Sequence, residues 1–185
     1  MKMISVIAAC LALSGALAAC SHGSESISIA HGAVHVHPHD QAVTIAPRGQ
    51  PDARMTADGA LRIGTDEVTL SAEQRAEVTR YVAAAMAIPE HAIATGKAGA
   101  ATGVAAVTEV VHGLANGDTS QIGAKVEAKA DEVRREARNL CEDIAGMRGA
   151  QDALATSLEA FRPYAVIAAN DDSDCRKETT TKQGP

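Results

Sequence analysis

Apolar and polar residues alternate along residues 27–70 with a period of two, which is typical of β-strands that bury one face. Turn-forming residues interrupt the pattern at Pro38-His39-Asp40, Pro47-Arg48-Gly49 and Asp58-Gly59. We therefore predict about three to five short strands, with a hairpin over Arg54–Ile63. The alternating apolar positions are Ile27, Ile29, Val34, Val36, Val43, Ile45, Leu61 and Ile63.

At Ser71 the period changes to that of a helix. Ser71 and Gln74 have the capping-box spacing, in which each side chain can bond the other residue's backbone amide. The first helical pattern runs to Pro89, which we expect to end or kink the helix. A second pattern follows and closes at Asn116-Gly117, a favourable helix stop. Its apolar positions are Ile93, Ala100, Val104, Val107, Val111 and Leu114.

A third helical pattern has the most regular spacing in the chain. Asp118 and Gln121 open it, and its apolar residues alternate steps of four and three. Gly146 and Gly149 predict a turn or kink, and Ala150–Phe161 predicts a final helix. The apolar positions are Ile122, Val126, Ala130, Val133, Ala137, Leu140, Ile144 and Met147.

These patterns predict an α+β fold. We expect a small antiparallel N-terminal sheet over residues 27–70, followed by an antiparallel helical hairpin or bundle over 71–168. Residues 169–185 form a polar C-terminal tail, which we expect to be disordered apart from Cys175.

The first nineteen residues have the features of a secretory signal peptide: a basic start, a short apolar stretch and small residues at the end. Leu17-Ala18-Ala19-Cys20 resembles the bacterial lipobox, in which the cysteine is acylated and becomes the mature amino terminus. Residues 20–26 would then form a short tether between lipid and fold. The alternative is an ordinary signal peptide, with Cys20 free or disulfide-bonded.

Lipidation would decide where the protein resides. Ser21 follows the cysteine where an Asp would favour the inner membrane, so we expect anchoring to the outer membrane with the domain in the periplasm. No later stretch approaches the apolar length of a membrane-spanning helix, so the lipid would be the membrane attachment.

Composition excludes some partners. Removing residues 1–19 leaves 16 basic and 23 acidic residues, a formal charge of −7, which gives no electrostatic reason to bind nucleic acid. The chain has one Phe, two Tyr and no Trp, so it cannot offer many aromatic platforms for stacking sugars or bases.

Two cysteines remain after Cys10 leaves with the signal peptide and Cys20 is acylated. Cys141 and Cys175 would meet in an oxidising compartment, where a disulfide is expected. A metal-binding pair or a reactive thiol is the alternative, although there is no Cys-x-x-Cys spacing or adjacent His.

Four histidines fall within nine residues: His31, His35, His37 and His39. On a strand, His35 and His37 would point to the same face, about 6.5 Å apart, and could share a Zn²⁺, Cu²⁺ or Ni²⁺ ion. His31, His39 or Asp40 could complete the ligand set. The alternatives are a strand whose polar face is histidine and a pH-sensing role.

No motif for enzyme chemistry is present, so we expect a non-enzymatic structural or partner-binding module. Gly96-Lys97-Ala98-Gly99 lacks the order of a phosphate-binding loop. Gly99 and Gly103 instead predict close approach of two helices. A partner-binding module predicts an exposed apolar stripe on a helix, whereas the alternative, a metal-binding lipoprotein, requires the histidines to converge.

The helical half resembles a proteobacterial family of envelope proteins, the YggN-like family, which has no established activity. The resemblance covers roughly residues 27–168 and is looser in the strand half, at Asp58-Gly59-x-Leu61 and Leu70–Arg75. It implies a secreted or lipid-anchored product, and it transfers no catalytic residue. Apart from the resemblance, the partner that we expect for a partner-binding module is an envelope protein. The segments that carry it are Val126-Glu127-Ala128, Asn139-Leu140-Cys141, Gln151–Ala155 and Phe161–Ala165.

Replacing Cys20 tests the lipid anchor. We expect Cys20→Ala to release the protein from membranes or to leave its signal peptide uncleaved, because the substituted residue cannot be acylated. Mass spectrometry of the wild-type protein should find an acylated Cys20 at the amino terminus. A mature chain that begins at any other residue would refute the lipobox interpretation.

Overall fold

The computed structural model describes residues 26–116 and 122–180. The fold is α+β, as predicted, with an antiparallel sheet of six strands followed by a long helical hairpin. Each strand pairs with the next one along the chain. The strands are β1 (Ile27–Ile29), β2 (Val34–His37), β3 (Ala42–Ile45), β4 (Ala53–Thr56), β5 (Leu61–Ile63) and β6 (Asp66–Glu67).

The sheet has one strand more than the upper limit predicted. β6 consists of two exposed acidic residues, so it has no apolar alternation by which it could be recognised. The predicted hairpin is confirmed, because β4 pairs with β5 across the Asp58-Gly59 turn. Gly59 is required there, since it has a φ of +84° and a Cβ would lie 2.9 Å from the backbone oxygen of Arg75.

One face of the sheet is buried against the helices. Side chains alternate along β2, so that Val34 and Val36 are fully buried while His35 and His37 lie on the other face. The buried sheet residues form a single core with the lower parts of the two long helices. On the sheet side this core contains Val34, Val36, Val43, Ile45, Ala53, Met55 and Leu61.

Three α-helices follow the sheet: α1 (Ala72–Asn116), α2 (Ile122–Ser157) and α3 (Asp171–Thr180). A short 3-10 helix, Glu159–Tyr164, connects α2 to α3. The capping box at the start of α1 is confirmed. The Gln74 backbone N–H donates to Ser71 Oγ (3.2 Å), and the Ser71 N–H donates to Gln74 Oε1 (2.9 Å).

Neither Pro89 nor the pair Gly146 and Gly149 ends a helix, so the helix end and the turn that we predicted as alternatives to kinks are absent. α1 continues through Pro89, at a cost of one helical hydrogen bond, because proline has no N–H to donate. α2 continues through Gly146 and Gly149 and unites two segments that we predicted as separate helices. At Gly146 the Cβ of Ala84 on α1 lies 3.4 Å from the position a Cβ would occupy, so this glycine reflects close helix packing.

The prediction of a disordered tail was also wrong. Residues 171–180 form α3, which packs along α2. Cys141 on α2 and Cys175 on α3 lie at disulfide distance, with Cα atoms 5.6 Å apart. The short polar helix gains its order from this connection and from local bonds such as the one from the Ala168 N–H to Asp171 Oδ2 (2.9 Å).

The upper part of the hairpin extends beyond the core. The last core residue of α1 is Ile88, and among the α2 residues Leu140 is the first that packs against the core. We call residues 92–116 and 122–139 the arm. The part of the arm that belongs to α1 is about 37 Å long. Within the described part of the chain, no helix combines the length and apolar character that crossing a membrane requires.

A matched pair of valines on α1 tests this division. Val82 is fully buried in the core, so Val82→Ala should lower the free energy of unfolding by about 2–3 kcal/mol through lost burial and a residual cavity. Val104 lies on the arm and is 69% exposed, so Val104→Ala should change it by less than about 0.5 kcal/mol. Urea titration measures both, and equal losses would contradict the described packing.

Candidate functional site

The structure separates the four histidines proposed as metal ligands. His35 and His37 share the outer face of β2, as the strand spacing predicted. His39 lies in the turn between β2 and β3, and His31 lies in a 3-10 turn before β2. His35 Nδ1 is 3.0 Å from Ser28 Oγ on the neighbouring strand, so one of its ring nitrogens already has a hydrogen-bond partner.

His31 belongs to a strained turn. Ala30 and His31 have φ values of +50° and +55°, a region that residues other than glycine rarely adopt. The turn borders a mostly apolar cavity of about 200 Å³ beneath the first strand. The cavity is lined by Ile29, Ala30, His31, Ile144, Met147, Ile167 and Asp171.

The metal-ligand interpretation gains no geometric support from these positions. In residues 26–116 and 122–180, no group of three or more His, Cys, Asp or Glu side chains is arranged to hold a metal ion. The predicted acylation site, Cys20, and the signal peptide of residues 1–19 lie outside the described residues.

The most unusual surface in the described structure is on the arm. Ile93, Val104 and Val107 are 57%, 69% and 68% exposed, and Ala100 between them is also exposed. They occupy one side of α1, and we call this set the apolar stripe. In the sequence, Val111 and Leu114 continue the same spacing, but their side chains lie outside the described set.

The side of α1 that faces α2 is built from smaller residues. Ala98 is 9% exposed, and the Thr102 hydroxyl lies 3.3 Å from the Lys129 carbonyl oxygen on α2. A surface pocket of about 340 Å³, open to solvent, lies beside Ala105 on α1 and is otherwise lined by α2 residues such as Val126. The described apolar positions of the second helical pattern therefore face away from the neighbouring helix. They are Ile93, Ala100, Val104 and Val107.

The glycines of the arm also differ from their predicted role. We expected Gly99 and Gly103 to let two helices approach closely. A Cβ at either position, or at Gly96, would meet no atom within 4 Å, so this interpretation was wrong for the contact between α1 and α2. Each glycine costs about 0.5–1 kcal/mol of helix stability relative to alanine, and no described contact within the chain offsets that cost.

Charge is distributed very unequally between the two helices of the arm. Residues 92–108 of α1 contain one charged residue, Lys97, whereas residues 123–139 of α2 contain nine. The α2 charges form local pairs, such as Arg134 with Glu127 at 2.9 Å. Over residues 92–108, α1 therefore carries almost no charge, a composition typical of helices that are covered on all sides.

A histidine and a carboxylate join the two helices at the base of the arm. His91 Nδ1 on α1 lies 2.5 Å from Asp143 Oδ2 on α2, and their side chains are 30% and 14% exposed. The hydrogen bond to Asp143 raises the pKa of His91 against the opposing effect of burial, and the charges of Asp143, Glu90 and Glu136 add to this increase. Sequence analysis missed this pair because its members lie 52 positions apart.

In comparisons with known proteins, no family model, curated protein or solved structure matches the chain. The resemblance to the YggN-like family stays a prediction, and functional inference depends on the surfaces described above.

The His91–Asp143 pair predicts a pH-dependent contribution to stability. Because the folded state raises the pKa of His91, the pair stabilises the fold fully below the ordinary histidine pKa. This contribution is lost as the pH rises through the raised, folded-state value. Urea titrations between about pH 5 and pH 9 should show His91→Gln losing most relative to wild type at the acidic end.

Asp143→Asn provides the control for this experiment. It should reduce the same pH dependence, and adding His91→Gln should then have little further effect, because both changes remove one interaction. A destabilisation by His91→Gln that is the same across the pH range would show that the charge of the pair contributes nothing.

Proposed function

We propose that this protein is a lipid-anchored envelope protein of the outer membrane that acts as a non-enzymatic, partner-binding module. The observation that carries the proposal is the apolar stripe, whose Ile93, Val104 and Val107 are more than half exposed. They lie on a stretch of α1, residues 92–108, with one charged residue. Single exposed apolar residues are ordinary on protein surfaces, but a contiguous row along one helix is typical of an interaction site.

Energetics support binding through this side of the arm. Covering apolar surface is favourable by about 25 cal/mol per Å², and removing residues 92–108 of α1 from water carries little cost of desolvating charges. The charged side of α2 lacks this advantage, since Arg134 and its carboxylate partners would have to be desolvated together. The stripe is therefore the favoured contact surface of the arm.

The position of the proposed anchor suits such a role. Cys20 precedes β1 by seven residues, so an extended tether would hold the sheet within about 25 Å of the acyl chains. The arm begins beyond Ile88, the last core residue of α1. An anchor at the sheet would leave the stripe accessible to a partner.

Site-specific photo-crosslinking tests the proposal. A photoreactive amino acid at Val104 should yield a covalent protein adduct in bacterial cells, whereas one at Arg135, exposed on the charged side of α2, should not. When the photoreactive amino acid replaces Val107, the substitution Val104→Asp should lower the yield of the adduct by at least about tenfold. The reason is that an unpaired carboxylate would be buried in the contact.

Two controls make the result interpretable. The membrane fraction should contain equal amounts of each variant, and the Cys141–Cys175 cross-link should be recovered in non-reducing peptide maps as a sign of correct folding. Equal adducts from Val104 and Arg135, or none from any stripe position, would refute the proposed binding surface.

A further inference from the structure

We propose that His91 and Asp143 form a pH-sensitive clasp that controls how often the two helices of the arm separate. A protonated His91 holds the start of the arm on α1 against α2, and loss of the proton weakens this connection. The inference concerns the arm alone and does not depend on what binds the apolar stripe. Three observations support it: the position of the pair, the charges around it and the sparse packing of the arm.

The clasp lies where the arm meets the part of the hairpin that the core holds in place. On α2, Asp143 lies between Leu140 and Ile144, which both pack against the core. On α1, His91 follows Ile88, the last core residue, and immediately precedes the arm. The contact of 2.5 Å between His91 Nδ1 and Asp143 Oδ2 therefore connects the start of the arm to a fixed part of α2.

The backbone of α1 is weakened at the same level. Pro89 lies inside the helix and has no N–H, so the helical hydrogen bond to the carbonyl oxygen of Ala85 is absent. This missing bond lies two residues before His91, at the boundary between core and arm. Helices bend most readily at such positions, so α1 can move away from α2 here, and the clasp opposes that movement.

The protonation state of His91 sets the strength of the clasp. The charges that act on its ring are all negative: Asp143 and Glu136 from α2, and Glu90 from α1. A protonated ring balances these carboxylates and donates a charge-assisted hydrogen bond to Asp143, about twice as strong as a neutral one. A neutral ring leaves the carboxylates to repel one another across the two helices, and Asp143, only 14% exposed, is screened little by solvent.

These charges determine the direction of the pH effect. The hydrogen bond to Asp143 and the neighbouring carboxylates raise the pKa of His91 while the clasp is closed. Closure is therefore favoured fully below the ordinary histidine pKa, and the advantage is lost as the pH rises through the raised value. The arm should be closed under acidic conditions and should open more often under alkaline ones.

Beyond the clasp, little buried surface holds the two helices together. Among the arm side chains that the structure describes, Ala98 is the one buried residue. Segments with few buried contacts open locally before the rest of a protein unfolds. Once separated from α2, the arm part of α1 should also lose helical structure, because Gly96, Gly99 and Gly103 each lower helix stability relative to alanine.

Hydrogen–deuterium exchange of the full chain tests the clasp, because exchange of the arm amides reports local opening. Mass spectrometry measures the rates at about pH 5.5 and about pH 8.5, and each rate is divided by that of an unstructured amide at the same pH. Peptides from residues 92–108 should exchange at least about tenfold faster than core peptides from residues 78–88 at both pH values. The corrected rate of the arm peptides should rise at least about fivefold at the higher pH.

His91→Gln removes the titrating group and should abolish this response. Its arm peptides should exchange at the faster rate already at the acidic pH, with less than about twofold difference between the two conditions. Asp143→Asn should act in the same way, and combining the two substitutions should add little. His112→Gln, which replaces the other histidine of α1, is the matched control and should keep the wild-type response.

Two results would overturn the clasp. Equal corrected rates for arm and core peptides would show that the arm does not open separately from the rest of the fold. A pH response that persists in His91→Gln, or that disappears in His112→Gln, would assign it to another group. Neither result affects the proposed binding surface, which photo-crosslinking at Val104 tests on its own.

Discussion

The sheet has a single apolar face, and the need to cover that face organises the whole molecule. Six short strands cannot hold together in water without a second layer. The lower parts of α1 and α2 supply that layer, with residues from Val78 to Ile88 and from Leu140 to Leu154 in the same core as the sheet. Both long helices are therefore fixed at one end, and their remaining length projects beyond the sheet.

Polar contacts and the proposed disulfide pair hold the C-terminal segment to this core. The buried Gln151 amide accepts from the Ile167 N–H (2.9 Å) and donates to the Ile167 carbonyl (3.0 Å), so one side chain satisfies both backbone groups. The Tyr164 hydroxyl donates to the Pro51 carbonyl (2.8 Å) and so joins the segment to the loop between β3 and β4. The composition of α3 is strongly polar, so its helix is stabilised by contacts with neighbouring segments rather than by burial of its own apolar residues.

Periodicity in the sequence predicted the strands and the start of α1. Features that depend on contacts between distant residues were missed. Alternation located the strands, and the Ser71–Gln74 spacing located the start of α1. Pro89, Gly146 and Gly149 were local signals for helix ends, yet packing of α1 against α2 kept both helices continuous. The polar composition of residues 171–180 suggested disorder, because sequence alone gives no measure of how much a neighbouring helix and a cystine stabilise a segment.

The arm shows why the direction of an apolar stripe is harder to predict than its existence. Two rows on α1 have helical spacing: the small residues Ala98, Thr102 and Ala105, and the larger Val104 and Val107. Hydrophobicity alone favours burying the larger row. The backbones of α1 and α2 approach on the small side instead, where Thr102 reaches the Lys129 carbonyl. Burying the small row inside the hairpin leaves the larger row exposed, so the same packing that closes the hairpin also creates the surface available to a partner.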